Sequence, residues 1–230
     1  MKLSIIIPVY NEDKTILEVI DKVKNTKLKG IKKEIIIVDD FSTDGTLAIL
    51  HKLEGIKKIV FHKKNMGKGT AIRTGLKYAS GEIILIQDAD WEYDPKEYEK
   101  LLKPILENET KVVYGSRLKA IKKNLKNMYK THYFGNVLLT MLTNILYGVR
   151  LSDMETGYKV FKKEVIQGMN LKAKRFDLEP EITAKILKRG YKITEVPIDF
   201  IGRKFKEGKN ITWRDGLKAL YYLVKYRIID

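Results

Sequence analysis

Glu82-Ile83-Ile84-Leu85-Ile86-Gln87-Asp88-Ala89-Asp90 carries an apolar, β-branched run straight into a pair of carboxylates. Residues 82–86 are too few and too uniformly apolar for a surface helix, and they read as a strand buried on both faces. Residues 4–9 and 34–38 have the same character, and each of the three runs leads into a polar loop and then a helical pattern. Weaker strands of the same sheet are expected at residues 58–61 and 112–114. Parallel strands need crossover connections, and right-handed crossovers place helices on both sides. The alternation therefore predicts an α/β fold with a mostly parallel sheet covered on both faces. Ligands of such sheets bind beyond the carboxyl ends of the strands, which is where chemistry is to be sought.

Turn and cap signals agree. Ser42-Thr43-Asp44-Gly45 offers hydroxyl and carboxylate caps for a helix near residues 45–54, and Pro95 can open one near 96–107. After residue 118 the alternation ends. A basic segment at 119–130 precedes a helix at 133–149, a loop at 152–157, a helix near 179–189 closed by Gly190, and a short strand at 193–197. Glu179 and Glu181 read as first-turn carboxylates of that last helix.

A chain of 230 residues, 44% hydrophobic and 32% charged, suits one globular domain. Its formal charge of +16 favours anionic partners, nucleic acid and acidic lipid alike. Neither an aromatic-basic signature nor a helix-turn-helix pattern is present, so no specific nucleic-acid binding is expected. The absence of cysteine excludes disulfides and thiolate metal sites and fits a reducing compartment. The chain starts on a strand instead of an export signal, and a cytoplasmic location is expected. The most apolar stretch, residues 133–149, is interrupted by Asn136, Thr140, Thr143 and Asn144 at helical spacing. It makes an amphipathic helix with one polar face and is not a membrane span.

In extended backbone alternate side chains share a face, so Asp88 and Asp90 can point to one spot. A hard divalent cation takes such oxygen ligands, and Mg²⁺ often needs only one or two carboxylates when substrate phosphates complete its shell. Against this stands the plainer reading that acidic residues after a strand cap a helix or make a turn. Asp39 and Asp40 admit the same plain reading. The three histidines, His51, His62 and His132, share no ligand spacing, which argues against zinc. Gly67-Lys68-Gly69 is neither a Walker loop nor a dinucleotide fingerprint, because Ile72 holds the third glycine position. Its plain reading is a helix that starts close to the sheet.

The first strand ends in Pro8-Val9-Tyr10-Asn11-Glu12, the second in Asp39-Asp40-Phe41-Ser42-Thr43-Asp44-Gly45, and Gly67-Lys68-Gly69 opens the helix before the Asp88 strand. In this order, and with Asp88-Ala89-Asp90, these segments resemble glycosyltransferase family 2 of the GT-A fold over most of the chain. A closer likeness is to the dolichol-phosphate mannose synthase branch and its polyprenyl-phosphate relatives, in the form without transmembrane helices. It rests on Gly115-Ser116-Arg117, Asp153-Met154-Glu155-Thr156-Gly157-Tyr158, Glu195-Val196-Pro197, and Arg203 followed by Gly208-Lys209.

The resemblance implies a Rossmann-like GT-A domain in which residues 1–118 form the nucleotide-sugar half, 119–212 the acceptor-side half and 213–230 an amphipathic helix. It implies that Pro8, Tyr10, Glu12, Val38 and Asp40 line the pocket for base and ribose, and that Lys68 and Ala89 belong to the donor site. Asp88 and Asp90 would hold Mg²⁺ or Mn²⁺ with Glu92 nearby. Arg117, Arg203 and Lys209 would contact phosphates, and Asp90, Arg117 and Asp153 make the implied catalytic set. Trp91-Glu92 stands where many relatives have Leu-Gln, and Glu155-Thr156 where the mannose synthases often have Thr-Ser. These departures leave the donor open between GDP-mannose and a UDP-hexose.

The expected reaction is inverting transfer of a hexose from a nucleoside diphosphate to a polyprenyl phosphate. An acceptor phosphate is anionic at neutral pH and needs cations to position it more than it needs a strong base. Arg117, or a plain surface ion pair in its place, borders a segment rich in Lys119, Lys122, Lys123, Lys126 and Lys130. Such clusters gain about 1 kcal/mol per basic residue at an anionic lipid surface, and they also occur as solvated faces. Peripheral attachment to the cytoplasmic face of a membrane is the expectation. The alternative is transfer to a sugar hydroxyl with Asp153 or Glu155 as base. A nucleotidyltransferase would want a glycine-rich loop after the first strand, and a glycosidase would leave Asp39-Asp40 unexplained. The C-terminal helix, with Trp213, Leu217, Leu220, Tyr221, Val224 and Ile228 on one face, is expected to dock on the domain, the other possibility being a membrane interface.

Overall fold

The computed structural model describes residues 1–120, 130–175, 177–202 and 213–229, with backbone only at 130, 213–215 and 217. Strands β1 (Lys2–Val9) and β2 (Lys32–Asp39) pair in parallel, with Ile5 opposite Ile35 and Ile7 opposite Ile37. Alternate residues point to opposite faces. Ile5, Ile7, Ile35 and Ile37 therefore enter one core layer with α1 (Ile16–Asn25), while Ile6, Ile36 and Val38 enter the other with Ala71 and Ile72 of α3 (Lys68–Leu76). Ile16, Val19, Ile20 and Val23 give α1 a wholly buried stripe, each side chain worth about 1.5–3 kcal/mol. At Gly75 a β-carbon would come 2.5 Å from Ile6, so glycine is what lets α3 lie against the sheet.

The remaining elements follow in chain order: α2 (Thr46–Leu50), β3 (Lys58–Phe61), β4 (Ile83–Ile86), a 3₁₀ turn at Pro95–Glu97, α4 (Tyr98–Leu106), β5 (Val112–Ser116), α5 (Lys130–Tyr147), β6 (Lys159–Lys162), α6 (Lys163–Ile166), α7 (Leu178–Lys188), β7 (Ile193–Pro197) and α8 (Trp213–Ile228). The sheet has seven strands in the order β3-β2-β1-β4-β6-β5-β7. All pairings are parallel except those of β6, which lies antiparallel between β4 and β5. The strand-helix alternation did not announce β6. Its four residues, Lys159-Val160-Phe161-Lys162, carry too short an apolar pattern to separate a strand from a turn.

Helix α5 is turned the opposite way to most surface helices. Its polar residues Asn136, Thr140 and Thr143 are buried, whereas Phe134, Leu138, Met141 and Ile145 are each at least 50% exposed. The polar face points inward because the adjoining loop needs donors and acceptors. Asn144 brackets Leu151, accepting its N–H and donating to its carbonyl at 2.8 Å each. Thr140 accepts the Met154 N–H at 3.1 Å. Helix α8 docks on the domain, but by another face than the one expected: Ala219 and Leu223 are buried against Leu139 and Met154, whereas Tyr221, Val224 and Ile228 are exposed. No helix among the described residues is long and apolar enough to cross a membrane.

Candidate active site

The carboxyl ends of β1 and β2 are locked together by short polar side chains. Asn11 and Phe41 both adopt left-handed backbone, at φ 54° and 69°. For a bulky residue such as Phe41 this conformation is held only by its surroundings. Asp39 supplies the hold: fully buried, it accepts the N–H groups of Phe41 and Ser42 and the Ser42 hydroxyl. The Ser42 hydroxyl in turn accepts the Asn11 N–H at 2.9 Å, and the Asn11 side chain accepts the Thr43 N–H at 2.8 Å. Asp39 is thus a turn residue, as its plain reading had it.

Asp40 does more than turn the chain. Its carboxylate meets His62 Nδ1 at 2.7 Å and accepts the N–H groups of Met66 and Gly67 at 2.9 and 2.6 Å, so it pins the loop that leads into α3. Of the other residues expected around a base and ribose, Tyr10 is exposed, and Pro8 and Val38 are buried register partners in the sheet. Glu12 accepts the Thr15 hydroxyl at 2.8 Å, and the same hydroxyl reaches the Ala89 carbonyl at 2.8 Å.

Gly67 and Gly69 have a different use from the one expected. A β-carbon on Gly69 would sit 2.7 Å from the Ala173 carbonyl, and one on Gly67 would overlap the Lys174 carbonyl. The close approach is to the 173–174 backbone and not to the sheet. It brings Lys68 beside Asp88, at 2.8 Å, and Glu179, at 3.4 Å. Burial works against the Lys68 charge, and the two carboxylates outweigh it, so its pKa is raised. Glu179 therefore reaches across to α3. Glu181 accepts the N–H groups of Lys172 and Ala173 and pairs with Lys185.

Strand β4 ends at Ile86, so the extended backbone expected to align Asp88 with Asp90 stops before them. The loop is fixed instead by Gln87. Its buried amide carbonyl accepts both the Tyr98 and Tyr158 hydroxyls at 2.7 Å, and its NH₂ donates to the carbonyls of Asp88 and Tyr93. Asp90 accepts the Glu92 N–H at 3.0 Å, and Ala89 is buried. A β-carbon at Gly157 would overlap Asp88, so glycine there leaves the carboxylate its room. Among the described residues no three His, Asp or Glu side chains gather into a metal cluster.

At the end of β5 stands Arg117, bound to Asp153 from three positions: backbone N–H and Nε at 2.8 Å, and Nη2 at 2.7 Å. Asn136 of α5 adds a fourth donor at 2.7 Å. This is a buried pair and not a surface one: Asp153 has no exposure, and the guanidinium lies 5.2 Å over the Phe200 ring. Burial favours the neutral Asp153, yet the Arg117 charge and these hydrogen bonds prevail and hold the carboxyl below the usual range. Glu195 supports the loop from β7, accepting the N–H groups of Ser152 and Asp153 at 2.9 Å.

Between the two ion pairs lies a second charge cluster, Lys159 with Glu155 and Glu179, of which the sequence reading did not single out Lys159. Lys159 donates to the carbonyls of Met154 and Thr156, and its ammonium stands 4.6 Å over the Tyr114 ring. Burial pushes it down to about 8 against the opposing pull of Glu179 and Glu155. Burial, followed by the charge of Glu179, pushes the Glu155 carboxyl up to about 8. Arg203, Lys209 and the lysines at 122, 123 and 126 lie outside the described residues.

Comparison with known proteins matches this arrangement. The glycosyl transferase family 2 model covers residues 4–169. The UDP-N-acetylglucosamine–dolichyl-phosphate N-acetylglucosaminyltransferase of Methanococcus voltae is 32% identical over 98% of this chain and 96% of its own. The dolichol-phosphate mannosyltransferase of Pyrococcus furiosus is 30% identical over 98% of this chain and 64% of its own. Among solved structures, glucosyl-3-phosphoglycerate synthase from Mycobacterium tuberculosis, in complex with Mn²⁺, UDP and glucosyl-3-phosphoglycerate, superposes with a TM-score of 0.73 at 20% identity. That match covers 100% of this chain and 81% of the synthase. The seven-stranded sheet is accordingly a GT-A sheet, and with the family model spanning both the Asp88 loop and the Arg117–Asp153 pair, the chain belongs to glycosyl transferase family 2, in the branch of the dolichyl-phosphate sugar transferases.

Proposed function

We propose that this glycosyltransferase moves a hexose, with inversion, from a nucleoside diphosphate to the phosphate of a polyprenyl lipid at an anionic membrane surface. The observation that carries the reading is the state of Asp153. A general base must be able to take a proton from the attacking hydroxyl, and it acts best with a pKa near the working pH. Asp153 is wholly buried, accepts four N–H bonds and is held below the usual carboxylate range. It is suited to fixing a cation and ill suited to accepting a proton. An anionic phosphate needs no base, so Arg117, oriented by Asp153, would serve it by positioning. The named activities of the Methanococcus voltae and Pyrococcus furiosus relatives support the same acceptor class.

In the displacement an acceptor phosphate oxygen bonds to the anomeric carbon as the bond from that carbon to the nucleoside diphosphate breaks. The electron pair leaves with the diphosphate. Lys68 already places a cation against Asp88, which fits a site that expects positive charge there. Asp88 and Asp90 would hold Mg²⁺ or Mn²⁺, whose contribution when bound is to compensate the leaving diphosphate. The Mycobacterium tuberculosis synthase was solved with Mn²⁺, which is in keeping with that pair. Tyr10, at the open end of β1, would take the base, and Asp40 would serve it by holding the 62–67 loop. The outward apolar residues of α5, and the lysine-rich segment that precedes it in sequence, support contact with acidic lipid. The face would be the cytoplasmic one.

The test is turnover of GDP-mannose, UDP-glucose and UDP-N-acetylglucosamine with Mn²⁺ and either a short polyprenyl phosphate or a simple sugar as acceptor. A lipid-phosphate-linked hexose is expected from at least one donor. Transfer to the sugar hydroxyl alone would overturn the acceptor assignment.

A further inference from the structure

Two carboxylate oxygens in the charge cluster have no hydrogen-bond partner although they are buried: Glu155 Oε1 and Glu179 Oε2. Buried polar atoms are almost always paired, because an unpaired one forfeits its solvation without return. These two belong to neighbouring side chains, the Glu179 charge acting on Glu155. Glu179 lies against Lys68, which holds Asp88, and so faces the side assigned to the donor diphosphate. Glu155 feels Arg117 and Asp153, on the side assigned to the acceptor phosphate. The pair therefore stands between the group that leaves and the group that attacks, where the transferred unit has to be while its bond changes hands.

The chemistry of the two unpaired oxygens selects the occupant. A phosphate offers acceptors and negative charge, both unfavourable beside two glutamates. A hexose offers hydroxyl donors, one for each unpaired oxygen. We propose that Glu155 and Glu179 form the seat of the transferred hexose, and that Glu155 is a specificity residue that reads one hydroxyl of that sugar. The inference rests on the proposed transferase reading and adds which side chains recognise the sugar.

The experiment compares kcat/KM for UDP-glucose, GDP-mannose and their monodeoxy analogues in the intact protein and in Glu155→Gln and Glu155→Thr, with affinity for UDP and GDP measured alongside. A site built to bond a hydroxyl rejects the analogue that lacks it, here by about 100-fold or more. The wild type should show that loss for one deoxy position. Both variants should narrow it to within about 10-fold while UDP or GDP affinity stays unchanged, which also certifies their fold. If the variants keep the wild-type discrimination, the inference fails and the transferase reading stands. It fails likewise if they lose kcat equally for every sugar, as removal of a general base would. If the wild type binds no nucleotide sugar and no nucleoside diphosphate, both fail.

Discussion

Replacing Asp153 with Asn tests the division of labour between Asp153 and Arg117. The carboxylate accepts two N–H groups at each oxygen: Oδ2 takes the backbone N–H and Nε of Arg117, and Oδ1 takes Nη2 of Arg117 and Nδ2 of Asn136. An amide keeps only one acceptor oxygen. Whichever way it is turned, its NH₂ confronts two donors, and the Arg117 charge stays buried without a counter-charge. Breaking a buried pair from one side costs about 3–5 kcal/mol. For a domain of this size each kcal/mol moves Tm by roughly 2–4 °C, so Asp153→Asn should lower Tm by roughly 6–20 °C.

The assay is calorimetric or fluorescence-monitored melting of wild type and variant, followed by turnover at a temperature where both are folded. Activity with a polyprenyl phosphate should fall mainly through the acceptor's KM, as the cation that holds it loses its orientation. A base would behave otherwise: kcat would drop by about 10²–10⁴-fold for every acceptor, with Tm unmoved. An unmoved Tm with kcat lost would refute the reasoning, because it would mean that Asp153 works as a proton acceptor and the ion pair carries little stability.

Asp90→Asn should abolish metal-stimulated turnover while leaving Tm near the wild-type value, and full activity of that variant in chelator would remove Mg²⁺ and Mn²⁺ from the scheme. Glu34, buried at the amino ends of the strands, accepts bonds from Lys2, Ser4 and Ser80; burial raises its carboxyl, and these partners prevail and lower it to about 2. A lowered folded pKa stabilises above the unfolded value and is lost as pH falls from about 4.5 toward 2, so Glu34→Gln should flatten the acid limb of the stability curve by about 3 kcal/mol. A parallel acid limb in the two proteins would count against that assignment. Phe134→Ser with Ile145→Ser, both on exposed positions of α5, should leave Tm within a few degrees of wild type and reduce co-sedimentation with anionic vesicles. The association should weaken as salt rises, charge reversal at Lys122, Lys123 and Lys126 should weaken it further, and unchanged binding in the combined variant would mean that this face does not meet lipid.

What the sequence made legible follows from the range of the interactions involved. Strands β1, β2 and β4 announce themselves because Ile5 to Ile7, Ile35 to Ile37 and Ile83 to Ile86 are local runs whose burial needs no knowledge of the partner. The pins of the site are not local. Gln87 is held by Tyr98 and Tyr158, Asp153 by Arg117 and Asn136, and the 152–153 loop by Glu195. Periodicity cannot see contacts between residues so far apart in the chain. A weaker signal was present: Gln87 closes an otherwise apolar strand, and Glu195 interrupts β7. A polar side chain in such a place needs partners, and its partners mark the site.

The inverted helix joins these observations. The spacing of Asn136, Thr140, Thr143 and Asn144 predicted a polar face, and the customary inference would send that face to water. It turns inward because Asn136 and Thr140 are themselves pins: Asn136 donates to Asp153 and Thr140 accepts the Met154 N–H, with the Thr140 hydroxyl also donating to Asn136 at 3.1 Å. The apolar residues are left outside as a consequence. One helix thus carries the surface proposed for the lipid on one side and, on the other, a single hydrogen-bonded chain to Arg117. A membrane-bound substrate and the cation proposed to receive its phosphate would then be aligned by the same rigid element. This is a mechanical reason for the polar face of α5 to point at the site instead of the solvent.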